Sequence, residues 1–270
     1  MKNRLKKTIG AVSLAAALLP AAVSADSNDS WEFGGAIYGW FPDISGSTEF
    51  PNGEGGEFTL PIDTILDNLK FTFQGKFDAR KGNWGMFTDV IYMDLGNSKN
   101  NVREGTIGDL EIPVGVNTRV GLDMTSWIWT TAGYYRLQET SMSSMDFVAG
   151  VRYLDIKQTL KVTVDGNIGD QPLPGRDGRA TVGGDNWDAI IGLRGRIGLG
   201  RDGSWFLPYY VDVGTGDSDF TWQAFGGVGY AFGWGELIAS WRYMDYDLGN
   251  KGPMKDMNFS GPAIGAVWRW

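Results

Sequence analysis

Lys76, Asp78 and Arg80 stand at every second position of "KFTFQGKFDAR" (70–80), opposite Phe71, Phe73, Phe77 and Ala79. The same alternation sets Asp89, Arg152, Asp188, Arg194, Arg196, Asp212, Arg242 and Arg269 against apolar neighbours further along the chain. Charges of both signs on one face of extended chain can do three things. They can pair and tie strands together, line a wet path that selects ions, or move protons in catalysis. The third use favours a group that titrates near neutrality, and the chain has no His, the commonest general base and metal ligand. Acid-only and Ser–Lys chemistry survive that exclusion, but no spacing argues for either. The expectation is therefore no catalytic residue, no enzymatic activity and no cofactor.

The elements that would position these charges are strands. Alternation with period two sends successive side chains to opposite faces. It recurs over 31–41, 70–80, 84–95, 117–137, 145–154, 187–199, 205–213, 220–232, 236–244 and 258–270. Most reach the 9 to 11 residues or so that a tilted strand needs to cross a bilayer. Connections alternate too. The short ones are 81–83, 138–144, 200–204 and 233–235; the others, at 42–68, 96–115, 157–185 and 248–257, are long, with 214–219 a short exception. Short turns on one side and long loops on the other describe an all-β, antiparallel up-and-down transmembrane barrel. Ten strands are expected, with eight as the alternative. An even number leaves both termini on the short-turn side.

The two ends of the chain agree with that location. Lys2, Arg4, Lys6 and Lys7 precede the apolar run Ile9–Val23 and the small residues of "VSADS". This is the pattern of a cleaved export signal, 1–25, leaving 26–270 as the barrel domain. The formal charge of the whole chain is −8, and losing the signal makes it more acidic, so nucleic acid is not an expected partner. With no Cys, no disulfide staples the exported chain. At the other end, "GPAIGAVWRW" places Ile264, Ala266, Trp268 and Trp270 on one row. Such a row suits the lipid face of a closing strand. Its terminal aromatics, Trp268 and Trp270, resemble the C-terminal signal by which outer-membrane barrels are recognised for assembly, which implies the barrel-assembly machinery as a partner.

Aromatic residues mark both membrane interfaces. Trp84, Trp205 and Trp234 sit beside short turns. At the opposite strand ends a weak repeat, "IYMDLGN", "RYLDIKQ" and "RYMDYDLGN", sets Tyr92, Tyr153 and Tyr243 two residues before Asp94, Asp155 and Asp245. A Tyr with a carboxylate just beyond it on the same face fits an aromatic girdle meeting water. The stretches "DARKGNWGMFTDVIYMDLG", "GVRYLD", "GTGDSDFTWQAFGGVGYAFGWG" and "NFSGPAIGAVWRW" resemble a group of small, largely uncharacterised outer-membrane β-barrel proteins of Gram-negative bacteria. The resemblance implies fold and location, the cell outer membrane, and carries no site residue with it.

Two lumen contents follow. A two-residue turn at Gly82–Asn83 pairs Lys76 with Asp89. A turn at Trp234–Gly235 would set Arg242 opposite Gly227, whose missing side chain leaves room for the guanidinium. If such charges pair throughout, the barrel is closed and its role is structural or one of surface interaction; if they are hydrated, it is a narrow passive pore for small solutes, the reading favoured here. A third reading, a soluble exported sandwich, conflicts with the girdles. The acidic residues Asp43, Glu49, Glu54, Glu57, Asp63 and Asp67 of 42–68 could bind divalent cations and bridge lipopolysaccharide phosphates. Nothing in their spacing matches a calcium loop, so a solvated loop is the plainer reading and no metal site is assigned. Within it, 61–69 reads as a short helix at the mouth. Outer-membrane lipid and lipopolysaccharide are the remaining expected partners.

Overall fold

The computed structural model describes residues 30–49, 55–96, 100–102, 106–107, 110–111, 116–168, 171–172, 176–249, 252 and 254–270. The export signal expected at 1–25 lies outside them. Ten strands form a closed ring: β1 (Trp31–Trp40), β2 (Leu69–Lys81), β3 (Trp84–Gly96), β4 (Val116–Glu139), β5 (Ser143–Ile168), β6 (Arg176–Leu199), β7 (Trp205–Gly216), β8 (Phe220–Phe232), β9 (Gly235–Asp247) and β10 (Met254–Arg269). Each pairs antiparallel with its sequence neighbour, and β1 closes on β10 from Gly34↔Arg269 to Trp40↔Ala263. Closure leaves no unpaired edge for lipid to meet.

The alternation faces as expected. Ile37, Phe73, Trp129, Ile191, Val228 and Ile264 are among the large apolar side chains exposed outward. The three tyrosines of the repeat each pack against a tryptophan at a tilt. Ring centroids are 4.5 Å apart for Tyr92–Trp127, 4.7 Å for Tyr153–Trp187 and 4.6 Å for Trp222–Tyr243.

Two of the long connections are more structured than a loop. β5 and β6 continue pairing as far as Val164↔Arg176, through most of 157–185. The β-branched "TLKVTV" (159–164) supplies the propensity for that extension. In 42–68, Asp43–Glu49 continues the line of β1 and pairs with β10, and then with Gly55–Leu60 in a hairpin. Helix α1 (Ile62–Asn68) follows, its first amide, Ile62 N–H, donating to Asp43 Oδ1 at 2.7 Å. An Asp accepting there satisfies an amide the helix itself leaves unpaired. Gln74 bridges the gap this excursion opens between β1 and β2. Its Oε1 accepts from Trp40 N–H at 2.6 Å and its Nε2 donates to Trp40 O at 3.1 Å.

One register differs from expectation. Lys76 does pair with Asp89 across the Gly82–Asn83 turn, where Gly82 supplies φ +58°. The β8–β9 turn, however, is Gly233–Trp234, with Phe232 opposite Gly235. Arg242 therefore faces Phe225, and Gly227 faces Ser240. The glycine makes room for backbone: a Cβ there would lie 2.4 Å from Ala239 O.

Candidate functional site

The lumen has three layers. In the outer half, towards the long connections, it is an apolar core. Ile91 and Met93 of β3, Met124 and Ile128 of β4, Leu154 and Ile156 of β5, and Met244 and Tyr246 of β9 meet there with Trp40 and Phe259. Ile65 of α1 is buried among them. Beyond the girdle the strands thus change polarity, facing water outward and packing apolar side chains inward.

Beneath this core lies a layer of hydrogen-bonded charge. Arg152 and Asp212 form an ion pair with both side chains wholly buried. The same guanidinium reaches Thr130, Thr221 and Gln223, each at 3.4 Å. Arg242 Nη2 donates to the same Gln223 Oε1 at 3.0 Å, and its Nη1 donates to Tyr38 OH and lies near Asp89 Oδ2, both at 3.1 Å. Tyr38 OH in turn donates to Asp89 Oδ1 at 2.5 Å. Arg242 on β9 and Asp89 on β3 are not ladder neighbours, so this contact spans the barrel.

A second cross-lumen tie lies nearer the short turns. Arg194 of β6 contacts Asp78 of β2 at 2.6 Å and Asp146 of β5 at 3.0 Å, with its guanidinium 3.5 Å from the Tyr134 ring centroid. Arg136 also pairs with Asp146. Further out, Arg80 joins Glu32 at 2.6 Å and Glu139 at 3.0 Å. Glu236 takes Arg196 at 2.7 Å and Arg269 at 3.1 Å.

The third layer is open space. A cavity of about 920 Å³ runs from the Tyr38–Gln223–Arg242 floor to the short-turn end, where Thr140–Ser144 and Asp202–Ser204 form its rim. Its lining includes Lys76, Asp78, Arg80, Asp89, Arg194 and Arg196. Arg152 and Asp212 lie in the charged layer instead. Asp188 has no cationic partner among the described residues; it accepts from Ser218 N–H at 2.9 Å and from Ser218 Oγ–H at 2.8 Å. Lys76 is opposite Asp89 yet makes no ion pair among the described residues, because Asp89 is taken by Tyr38 and Arg242. Its ammonium lies 4.3 Å from the Phe87 ring centroid.

Sequence reasoning missed Tyr38 and Gln223, and left Asp146 and Glu236 off the site. The carboxylates were readable as inward by alternation. Tyr38 and Gln223 carry no charge, and only the closed ring brings them against Arg242. Among the described residues no group of acidic side chains has the arrangement to hold a metal. In the outer turns, Asp217 Oδ2 accepts from Trp187 N–H at 2.9 Å and Asp247 Oδ1 from Gly249 N–H at 3.0 Å.

A closed antiparallel ring of ten strands, apolar outside and filled by a core, ion pairs and a cavity, defines an outer-membrane type of β-barrel. The solved structures it is similar to are of that type. The outer membrane protease OmpT from Escherichia coli aligns over 92% of this chain and 99% of its own, with TM-score 0.53 and 8% identity. Weaker likenesses are to the toluene transporter TodX of Pseudomonas putida (TM-score 0.30, 10% identity, 91% and 89% covered) and neisserial surface protein A (TM-score 0.25, 12% identity, 89% and 97% covered). At these identities the likeness concerns the fold. No protein-family model and no curated protein matches the chain.

Proposed function

We propose that the protein is an integral outer-membrane barrel whose lumen is closed on the outer side and open to the periplasm, with an envelope-structural rather than solute-conducting role. The observation that carries this reading is the apolar core across the outer half of the lumen, with the buried Arg152–Asp212 and Arg242–Asp89 pairs beneath it. A hydrated path needs polar walls along its whole length, and this one would cross a dozen or more packed apolar side chains. The periplasmic side follows from the convention that short turns lie there in barrels of this kind. The absence of His from the sequence supports a non-enzymatic role.

The narrow passive pore is the second reading, and the cavity favours it: half of a path exists already. It requires α1 and the core around Ile65 to move. Planar-bilayer recordings separate the two. Purified, folded protein that migrates differently when boiled and unboiled should give silent bilayers at every voltage. Steady single-channel currents would overturn the closed reading and establish the pore. Recovery of the chain as a soluble periplasmic monomer would overturn both.

A further inference from the structure

The walls of the periplasmic cavity are unlike one another. From β2 to β6 they carry most of the charges, and every arginine there is held by a carboxylate. From β9 through β10 to β1 the charges lie at the two ends, Arg242 paired at the floor and Glu236, Arg269 and Glu32 paired near the rim. Between them the wall carries Ile238, Ala263, Gly265, Val267, Gly34 and Ala36, small or apolar residues that leave the space unfilled. The two surfaces meet at Lys76, which pairs with Ala36 in the β1–β2 ladder. Lys76 is the lining cation without an ion pair or hydrogen bond among the described residues, its ammonium held over the Phe87 ring.

We propose that this cavity is a binding site for an amphipathic carboxylate entering from the periplasmic side, its anionic group on Lys76 and its apolar chain along the β9–β10–β1 wall. Each half of the ligand answers a feature the barrel leaves unanswered. The ammonium has no ion pair or hydrogen bond of its own among the described residues, the nearby Asp78 and Asp89 being held by Arg194 and Arg242, and an anion in a partly dehydrated site is attracted more strongly than in water. The Gly–Ala wall lacks apolar contact, and a hydrocarbon chain laid on it is removed from water. A cationic amphiphile would face Lys76, with the carboxylates around it committed to arginines. A short hydrophilic anion would leave the wall bare.

The site depends on the closed-barrel reading only for its floor, and the two fail separately: conductance tests the closure, titration tests the site. The full chain is assembled into nanodiscs of zwitterionic lipid and titrated calorimetrically with dodecanoate, subtracting empty nanodiscs. Saturable binding of one dodecanoate per barrel is expected. Lys76→Gln should weaken it by about tenfold or more, and Ala36→Phe, which fills the wall but keeps the cation, should remove it. Dodecyltrimethylammonium should give no saturable binding. Both variants are checked for the heat-sensitive mobility of folded barrels. Absence of saturable dodecanoate binding would overturn the proposal, as would equal affinity in wild type and Lys76→Gln, or equal affinity for the cationic amphiphile. Should Lys76→Gln not assemble, Ala36→Phe decides alone, and undiminished binding in it overturns the proposal.

Discussion

The strongest single-residue dependence belongs to Arg152. Its guanidinium touches four groups on three other strands and is fully buried. Removing one partner of such a pair leaves a buried charge without its counter-ion, at a cost of about 3–5 kcal/mol. Arg152→Ala and Asp212→Ala should each lower stability by roughly that amount, read as a fall in the urea midpoint of the barrel folded in lipid vesicles. The double variant Arg152→Met/Asp212→Leu should recover most of the loss, since an apolar pair of similar volume replaces a buried ion pair at little cost. A double variant no better than the singles would mean that the pair's hydrogen bonds to Thr130 and Gln223 matter more than its charge balance. Lys76→Gln, by contrast, should shift the midpoint little. The Lys76–Asp89 register was legible in the sequence, but the partner choice of Asp89 was not. Tyr38 and Arg242 reach it across the ring, and no local spacing encodes that.

Strands show where the sequence speaks and where it is silent. Period-two alternation located all ten, because lipid on one face enforces it residue by residue. The inward face has no such rule. Its change from charged to apolar is nonetheless written in the Tyr repeat. After Arg152 the inward positions are Leu154 and Ile156; after Arg242 they are Met244 and Tyr246. Reading only the outward Tyr and Asp of that repeat finds the girdle and overlooks the core. The β8–β9 register, misplaced by one turn residue, makes a second element-level test. Gly227 points at backbone, with Ala239 O at 2.4 Å and Ser240 Cβ at 2.6 Å from an added Cβ. The adjoining Gly226 points outward into open space. Gly227→Val should sharply reduce the heat-sensitive folded fraction, and Gly226→Val should assemble as wild type does. Comparable yields from the two variants would contradict this register.

At the scale of the whole molecule, the ring exists only when β10 reaches β1, and that seam ends on Trp270. Trp270 and Phe33 exchange both backbone hydrogen bonds, Phe33 N–H to Trp270 O at 2.9 Å and Trp270 N–H to Phe33 O at 3.0 Å. Their rings stack at 6.4 Å between centroids. Trp187 is as aromatic and also faces outward, but it lies within β6, paired with Tyr153 of β5 on one side and bonded through its N–H and C=O to Asp217 on the other. Losing its ring forfeits a girdle contact of about 0.5–1.5 kcal/mol and unpairs no backbone. Deleting Trp270 forfeits a similar stacking contact together with two hydrogen bonds, each contributing about 0.5–1.5 kcal/mol, at the seam where the two ends of the sheet must find one another. The assembled fraction in outer-membrane preparations should therefore fall most for the Trp270 deletion. Trp270→Ala, which keeps the backbone pair, should lose less, and Trp187→Ala least. If Trp270→Ala is as defective as the deletion, the indole itself is what assembly requires, as its resemblance to an assembly signal suggests. If all three variants assemble equally, neither the seam contact nor the signal governs closure of this barrel.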